Sequence, residues 1–330
     1  MIRLVGADLF KFLRRWMPYI LLLLSCLYMA YLINIDYSLA KHSLESLSPL
    51  TYDDFAAALE QTDPNEENVT VSYSGDGFSG RKQLSRHTFD DVVLPEYIDG
   101  MFANMNYIVL FLIIMLVASF IGTEYQWGTL RQTLARGIGR NVYFGSKYIT
   151  LAILIWLFVC GATLFLLIAG MVTNWLVTGG ITWDFISTDT AGFLLSAMGL
   201  MTLIMIAYAT LVALFSTLFK STIVGLVVGV LYLQTENMVI SKMLIRTGSN
   251  ASIVPYYEPL PNPPEWLSYT IGYNTQYLLG HLSPTSSYGA TFLNHTLTDL
   301  TQSVLVLAGY CAVFILISFL IFRKQELSSE

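Results

Sequence analysis

The residue types that carry enzyme chemistry show no productive spacing in this chain. A phosphate-binding loop needs a glycine-rich turn before its Lys and Ser or Thr, and Lys220-Ser221-Thr222 lacks the glycines. The four histidines have no metal-ligand spacing, and Ser, His and acidic residues form no recognisable catalytic pattern. We therefore expect no catalytic residue, no metal site and no cofactor held by this chain itself.

Ionisable residues are almost absent from the apolar segments of the sequence. Glu236 is the exception, and it lies near the outer end of its segment. Carriers coupled to protons or sodium place carboxylates near the middle of the membrane, and many ion channels use rings of charge. The pattern therefore disfavours both a secondary transporter and an ion-selective pore.

The composition indicates a membrane protein. Of the 330 residues, 55% are hydrophobic and only 12% are charged, whereas a soluble globular chain has about 25% charged residues. Cys26, Cys160 and Cys311 all lie in apolar runs, which favours buried thiols over a disulfide framework. A disordered chain, a basic nucleic-acid-binding domain and a disulfide-stapled secreted module are excluded.

Six segments are long and apolar enough to span a bilayer. They are Pro18–Asn34, Met105–Gly122, Tyr148–Val172, Ala191–Leu218, Thr222–Ile240 and Ser303–Phe322. We therefore predict an all-α polytopic membrane protein with six transmembrane helices, preceded by an amphipathic interfacial helix over residues 1–17. A cleaved signal peptide is an alternative for the first segment, but no small-x-small cleavage site follows it.

The distribution of charge predicts that both termini are cytoplasmic. With the N-terminus inside, residues 1–17, 123–147, 219–221 and 323–330 face the cytoplasm, and they hold eleven of the 17 basic residues but four of the 23 acids. This satisfies the positive-inside rule in each short loop. Residues 35–104, 173–190 and 241–302 are then extracellular.

Two of the outer segments are large. Residues 35–104 are acidic, and we expect a small α+β cap with a strand at Val69–Tyr73 and a helix at Tyr52–Leu59. In residues 241–302, a proline-rich extended connector precedes Glu265–Leu282, which is too polar to span and rich in aromatics. We predict an interfacial or re-entrant helix there, with a helix packed on its own outer domain as the alternative.

The cytoplasmic loop Thr123–Lys147 is the most informative part of the chain. Leu130, Leu134 and Ile138 recur at helical spacing on one face, with arginines on the remainder, and Gly137 and Gly139 follow as helix breakers. Thr129 can cap the start of this helix. The pattern predicts a short amphipathic helix against the inner membrane face, and contact with anionic lipid alone would explain it.

The same loop resembles the signature of ABC-2 type transporter permeases. Their pattern is Glu-x-x-x-Gly-Thr-Leu-Arg, a short helix, and then a basic residue and a Lys at the next span. The matching positions are Glu124, Gly128, Thr129, Leu130, Arg131, Arg140 and Lys147. The proline usual before the second arginine is missing, but the order of spans and the outer aromatic helix also agree with this family.

The resemblance implies the permease half of an ATP-driven exporter. Two such permeases, identical or paralogous, would assemble in the lipid membrane with two separate ATPase subunits, which bind ATP and Mg²⁺. Leu134 and Arg136 would join the motif residues in contacting the ATPase. The cargo would be an amphipathic peptide, a lantibiotic-like toxin, a drug or a lipid-like molecule, with small-ion extrusion as the alternative within the family. We expect location in a bacterial plasma membrane and no nucleic-acid partner.

Gly225 and Gly229 form a GxxxG pattern in the fifth span. Small residues four apart allow two helix backbones to approach closely. Because the family uses its first and fifth spans for the permease dimer, we predict a dimer contact at these glycines. Internal packing is the alternative. A different class of function, a non-transporting sensor or scaffold with an extracellular ligand-binding segment, also stays open.

The predicted topology can be tested by cysteine labelling. Cysteines introduced at Ser74 and Ser286 should react with an impermeant thiol reagent from outside, because both positions lie in predicted extracellular segments. A cysteine at Thr133 should react only after the membrane is permeabilised. Labelling of position 133 in intact cells would contradict the orientation.

Overall fold

The protein is an all-α polytopic membrane protein with six helices that are long and apolar enough to cross a bilayer. A computed structural model describes residues 1–45, 52–62, 68–75, 78–85, 89–90, 92–102, 105, 107–127, 129–180, 183, 186–248, 256–259, 264–283 and 297–325. We call the end of the bundle that carries both chain termini the inner end and the opposite end the outer end.

The elements follow one another in the order of the predicted spans, with short strands and helices between them. The helices are α1 (Ile2–Leu13), α2 (Trp16–Glu45), α3 (Tyr52–Gln61), α4 (Tyr97–Gly100), α5 (Tyr107–Gln126), α6 (Thr129–Ala135), α7 (Arg140–Thr178), α8 (Thr188–Phe219), α9 (Thr222–Leu244), α10 (Ile271–Leu282) and α11 (Leu300–Lys324). The strands are β1 (Asn68–Gly75), β2 (Phe78–Ser85), β3 (Ile245–Gly248) and β4 (Tyr256–Pro259), and a 3₁₀ helix covers Glu265–Tyr269.

Five of the six predicted spans lie within one long helix each, and the second, Met105–Gly122, begins two residues before α5. Several helices extend further than their apolar segments. Helix α2 continues to Glu45, beyond the predicted end at Asn34, and α7 begins at Arg140 rather than at Tyr148. The apolar segment marks the part that lipid can cover, whereas backbone hydrogen bonding continues through polar flanking residues. A tight turn joins α8 to α9, with Lys220 in the left-handed conformation at φ 52°.

Helices α5 and α8 form the centre of the bundle. In each, 67% of the apolar window is buried, against 22% for α2 and α9 and 17% for α11. Helices α2, α9 and α11 therefore leave most of their apolar surface for lipid or for another protein. The interior between α5 and α8 consists of aliphatic side chains and methionines, among them Ile113, Ile114, Met205 and Ala209.

At the outer end, the predicted α+β cap is present. Helix α3 packs on the antiparallel hairpin β1–β2, in which Val69 pairs with Leu84 and Val71 with Lys82. Alternate residues of β1 face a small apolar core that includes Phe55 and Phe89. The predicted strand and helix are thus confirmed, because their two-residue and helical periodicities each bury one face.

The segment after this cap docks on the outer end of α7. The ring of Tyr97 occupies the space beside Gly170, where any side chain would collide with it, and its hydroxyl donates to the carbonyl of Leu166 at 3.1 Å. The side-chain carbonyl of Asn174 accepts from the backbone N–H of Leu94 at 3.2 Å. The backbone N–H of Leu94, which lies outside the regular helices, thereby has a hydrogen-bond partner where the segment meets the bundle.

Gly225 and Gly229 face the chain's own helices. A side chain at Gly225 would collide with Ser216 of α8, and one at Gly229 would collide with Val212 of α8 and Ile114 of α5. The two glycines therefore allow α9 to lie close against the central helices of its own bundle. This geometry supports the internal-packing interpretation of the GxxxG pattern over the predicted dimer contact.

Replacing Gly229 with Leu should destabilise the bundle itself. The added side chain would overpack the α5–α8–α9 contact, at a cost of about 1–3 kcal/mol. The matched control is Gly309→Leu in α11, where a Cβ meets open space. We expect a lower thermal unfolding temperature in detergent for Gly229→Leu only. An unchanged temperature with a reduced dimer fraction would restore the intersubunit interpretation.

Candidate functional site

A buried cluster of charges joins three helices at the inner end of the bundle. The Lys147 ammonium of α7 lies 2.8 Å from an Asp8 carboxylate oxygen of α1 and 2.6 Å from Glu124 Oε1 of α5. The Lys147 side chain is 8% exposed and each carboxylate side chain 12%. Of the residues matching the permease signature, the structure thus brings Glu124 and Lys147 into direct contact.

Neighbouring groups complete the cluster. The hydroxyl of Tyr143 donates to the other oxygen of Glu124, and the Lys147 ammonium lies 5.2 Å from the ring centres of both Phe120 and Tyr143. Lys11 of α1 lies at the edge, 3.8 Å from Glu124. Two lysines and two carboxylates leave the cluster without net charge, which is the condition under which charges can be buried at modest cost.

Helix α1 is held against the bundle by one acidic and one aromatic side chain on the same face. Asp8 is the sole acid of α1, and it lies on the helix face that also buries Phe12. Phe12 in turn packs edge-on against Phe120 of α5, with ring centres 5.2 Å apart. The amphipathic N-terminal helix is therefore bound to α5 and α7 by both apolar and ionic contacts.

Helix α6 begins at Thr129, as its sequence predicts, but is shorter than expected. It ends at Ala135, because Gly137 adopts a φ of 84° that favours glycine, and α7 begins at Arg140. Ile138 therefore lies outside the helix. Gly128 lies outside the described residues, and for Thr129 and Arg131 the structure describes the backbone alone.

The apolar face of α6 is covered by the chain itself. Leu130 is buried in a small apolar cluster with Tyr143, Phe144 and Phe322, and Leu134 is partly buried against the same cluster. The ring of Tyr143 stacks on that of Phe322 at 5.8 Å. Leu130 thus packs against the chain's own helices, where the sequence had led us to expect the membrane surface or a partner. The face that α6 leaves exposed carries Gln132, and Arg136, directly after the helix, is exposed as well.

Arg140 is tied to the end of the last helix. Its guanidinium donates to the backbone carbonyls of Arg323 at 3.0 Å and Gln325 at 3.3 Å. These carbonyls have no partner within α11, and the negative end of the helix dipole favours a cation there. The Gln325 side chain continues the connection by donating to the carbonyl of Thr217 in α8 at 2.8 Å.

The site is thus a connected inner unit, which we define as α1, α6, the inner ends of α5 and α7, and the end of α11. Asp8, Lys11 and Tyr143 belong to it and were missed in the sequence. The one feature of the sequence that could have indicated the cluster is Asp8, an isolated acid in a basic helix. Among the described residues, no group of three or more His, Cys, Asp or Glu could hold a metal ion.

The comparison with protein families covers most of the chain. Residues 91–328 match the family described as "Protein of unknown function (DUF2705)", and the chain belongs to that family. The match includes α5, α6, α7 and the remaining spans, but begins after α1 and Asp8. No curated protein matches the chain with significant similarity.

Lys147 should be the most sensitive position of the inner unit. Lys147→Met leaves two buried carboxylates without their cation, and breaking a buried pair costs about 3–5 kcal/mol. Lys11→Met removes the same functional group from the edge of the cluster, where an exposed pair contributes about 0–1 kcal/mol. The free energy of unfolding of each variant, measured in detergent, gives the two losses of stability. Equal effects of the two substitutions would contradict the assigned roles.

Proposed function

We propose that the chain is the membrane-spanning permease subunit of an ATP-driven exporter of the ABC-2 type. A separate ATPase would bind the inner end and drive export of an amphipathic peptide, drug or lipid-like cargo. Two permease copies, or two paralogous permeases, would pair with two ATPase subunits in a bacterial plasma membrane. The ATP and Mg²⁺ would be held by the ATPase.

The observation that carries the proposal is the rigid connection between α6 and the bundle. Helix α6 is seated on α7 and α11 through Leu130, and α7 is joined to α1 and α5 through Lys147. Motion can pass between distant sites through contiguous packed and ion-paired groups. A partner that displaces α6 would therefore move several helices together.

The exposed face of α6 provides the contact for that partner. Gln132 on α6 and Arg136 directly after it are exposed, whereas the opposite face of the helix packs against the bundle. Arginines outside the apolar cluster suit an acidic patch on an ATPase, since complementary charge directs association. In this arrangement Leu130 and Leu134 position the helix, and Arg136 makes the contact.

The chemistry of the bundle interior supports an apolar or amphipathic cargo. Most of the described side chains buried between the central helices are apolar, with Tyr208 and Thr210 among the exceptions, and the ion pairs of Lys11 and Lys147 lie at the inner end. Channels and carriers for ions use polar or charged groups along the path. An exporter that opens a largely apolar interior fits this lining better than an ion pump does.

Reversing the exposed charge directly after α6 should separate the ATPase from the permease. Arg136→Glu places a like charge opposite an acidic partner, which we expect to lower ATPase co-purification about tenfold, since like charges in an interface cost on the order of 1.4 kcal/mol or more. Arg3→Glu makes the same charge reversal at an exposed inner position on α1. We expect that variant to retain the ATPase.

The measurement is purification of the tagged chain from its native membranes in mild detergent, followed by assays of bound ATPase and ATP hydrolysis. The proposal predicts an ATPase partner with the wild-type chain and with Arg3→Glu, and loss of that partner with Arg136→Glu. Absence of any ATPase from the wild-type preparation would favour the sensor or scaffold. Equal recovery with both variants would remove α6 from the contact.

A further inference from the structure

A second polar cluster lies toward the outer end, around Glu236 of α9. A helical rise of 1.5 Å per residue places Glu236 about 21 Å from the inner end of α9 at Thr222, within a hydrocarbon core about 30 Å thick. A carboxylate at this depth is costly, and such residues usually have a function and a specific partner.

The partners of Glu236 come from three helices. Glu236 Oε1 accepts from the backbone N–H of Gly272 in α10 and from the hydroxyl of Tyr232 at 3.2 Å, and Oε2 accepts from the hydroxyl of Tyr208 in α8 at 3.3 Å. No basic side chain among those that the structure describes pairs with it. The compensation for the charge is therefore hydrogen bonding and the N-terminus of α10.

The contact with α10 is geometrically specific. Gly272 is the second residue of α10, where backbone N–H groups lack intrahelical acceptors and the helix dipole favours an anion. A Cβ at Gly272 would collide with the side chains of Glu236 and Ile240. The absence of a side chain therefore lets the carboxylate reach the end of the helix.

Helix α10 lies deep among the spans. All residues from Ile271 to Gly280 are buried, and α10 contacts α8, α9 and α11. The 3₁₀ turn and helix together cover the predicted segment Glu265–Leu282, and these contacts support the re-entrant interpretation over a helix packed on its own outer domain. A further bond joins Gln276 Nε2 of α10 to Asn237 Oδ1 of α9 at 3.0 Å.

The same face of α10 also carries a group that is not satisfied. Gln276 Oε1 is buried without a hydrogen-bond partner among the described residues. Burying a polar atom without a partner favours any state in which water can reach it. The seated position of α10 is thus opposed by the unpaired Gln276 oxygen and supported by the Glu236 contact at the N-terminus of α10.

We propose that Glu236 is a positioning residue that latches α10 into the bundle and keeps the outer end closed. Loss of the bond between Glu236 and the Gly272 N–H lets α10 withdraw toward water and opens the bundle on the outer side. This inference goes beyond the proposed function, because the latch is a property of the chain alone and does not require an ATPase.

The test is the rate at which an impermeant maleimide reacts with a cysteine at Ser283, which directly follows α10 and is 1% exposed. Ser283→Cys is nearly isosteric, and the chain with its native cysteines alone gives the background. Glu236→Gln keeps the shape but removes the charge, and we expect it to raise the rate at least tenfold. Tyr232→Phe, which removes one of the three donors, should give a smaller rise.

The controls separate release of α10 from general loosening. Glu265→Gln removes an exposed carboxylate just before α10, and it should leave the rate unchanged. A second reporter, Val93→Cys, lies buried in the outer segment, and its labelling should stay slow in Glu236→Gln. An unchanged Ser283 rate in Glu236→Gln, or an equal rise at both reporters, would overturn the latch.

Discussion

The inner end of the structure depends on one lysine held between two carboxylates. Lys147 contacts Asp8 and Glu124, which come from two different helices that also pack against each other through apolar side chains such as Phe12 and Phe120. Apolar packing in a membrane has little directional preference, because lipid tails cover a helix as well as another helix does. The ion cluster therefore fixes how α1, α5 and α7 are arranged, and the seat of α6 on α7 follows from that arrangement.

At the outer end, too, a buried carboxylate is stabilised by specific polar partners, but those partners are not basic side chains. Glu236 has hydrogen-bond donors and a helix N-terminus in place of a lysine. Between the two clusters, the described core of α5 and α8 is apolar. Specific polar contacts thus lie at the two ends of the bundle, with a largely apolar interior between them.

The spans and the break at Gly137 were predictable because each depends on local sequence. Hydrophobic length identifies a span, and a left-handed glycine ends a helix. The partners were less predictable, because Asp8 and Lys147 are distant in sequence. The leucines of α6 show the same limit, since an amphipathic pattern identifies a buried face but not what covers it. Here Tyr143, Phe144 and Phe322 cover it.

The central claim is that the charges of the inner cluster stabilise the bundle only as a set. The most direct measurement compares the unfolding free energy of Lys147→Met with that of the triple variant Asp8→Asn, Glu124→Gln, Lys147→Met. Because the triple variant leaves no buried charge unpaired, we predict that it recovers at least half of the stability that Lys147→Met loses. A triple variant as unstable as Lys147→Met alone would contradict the account.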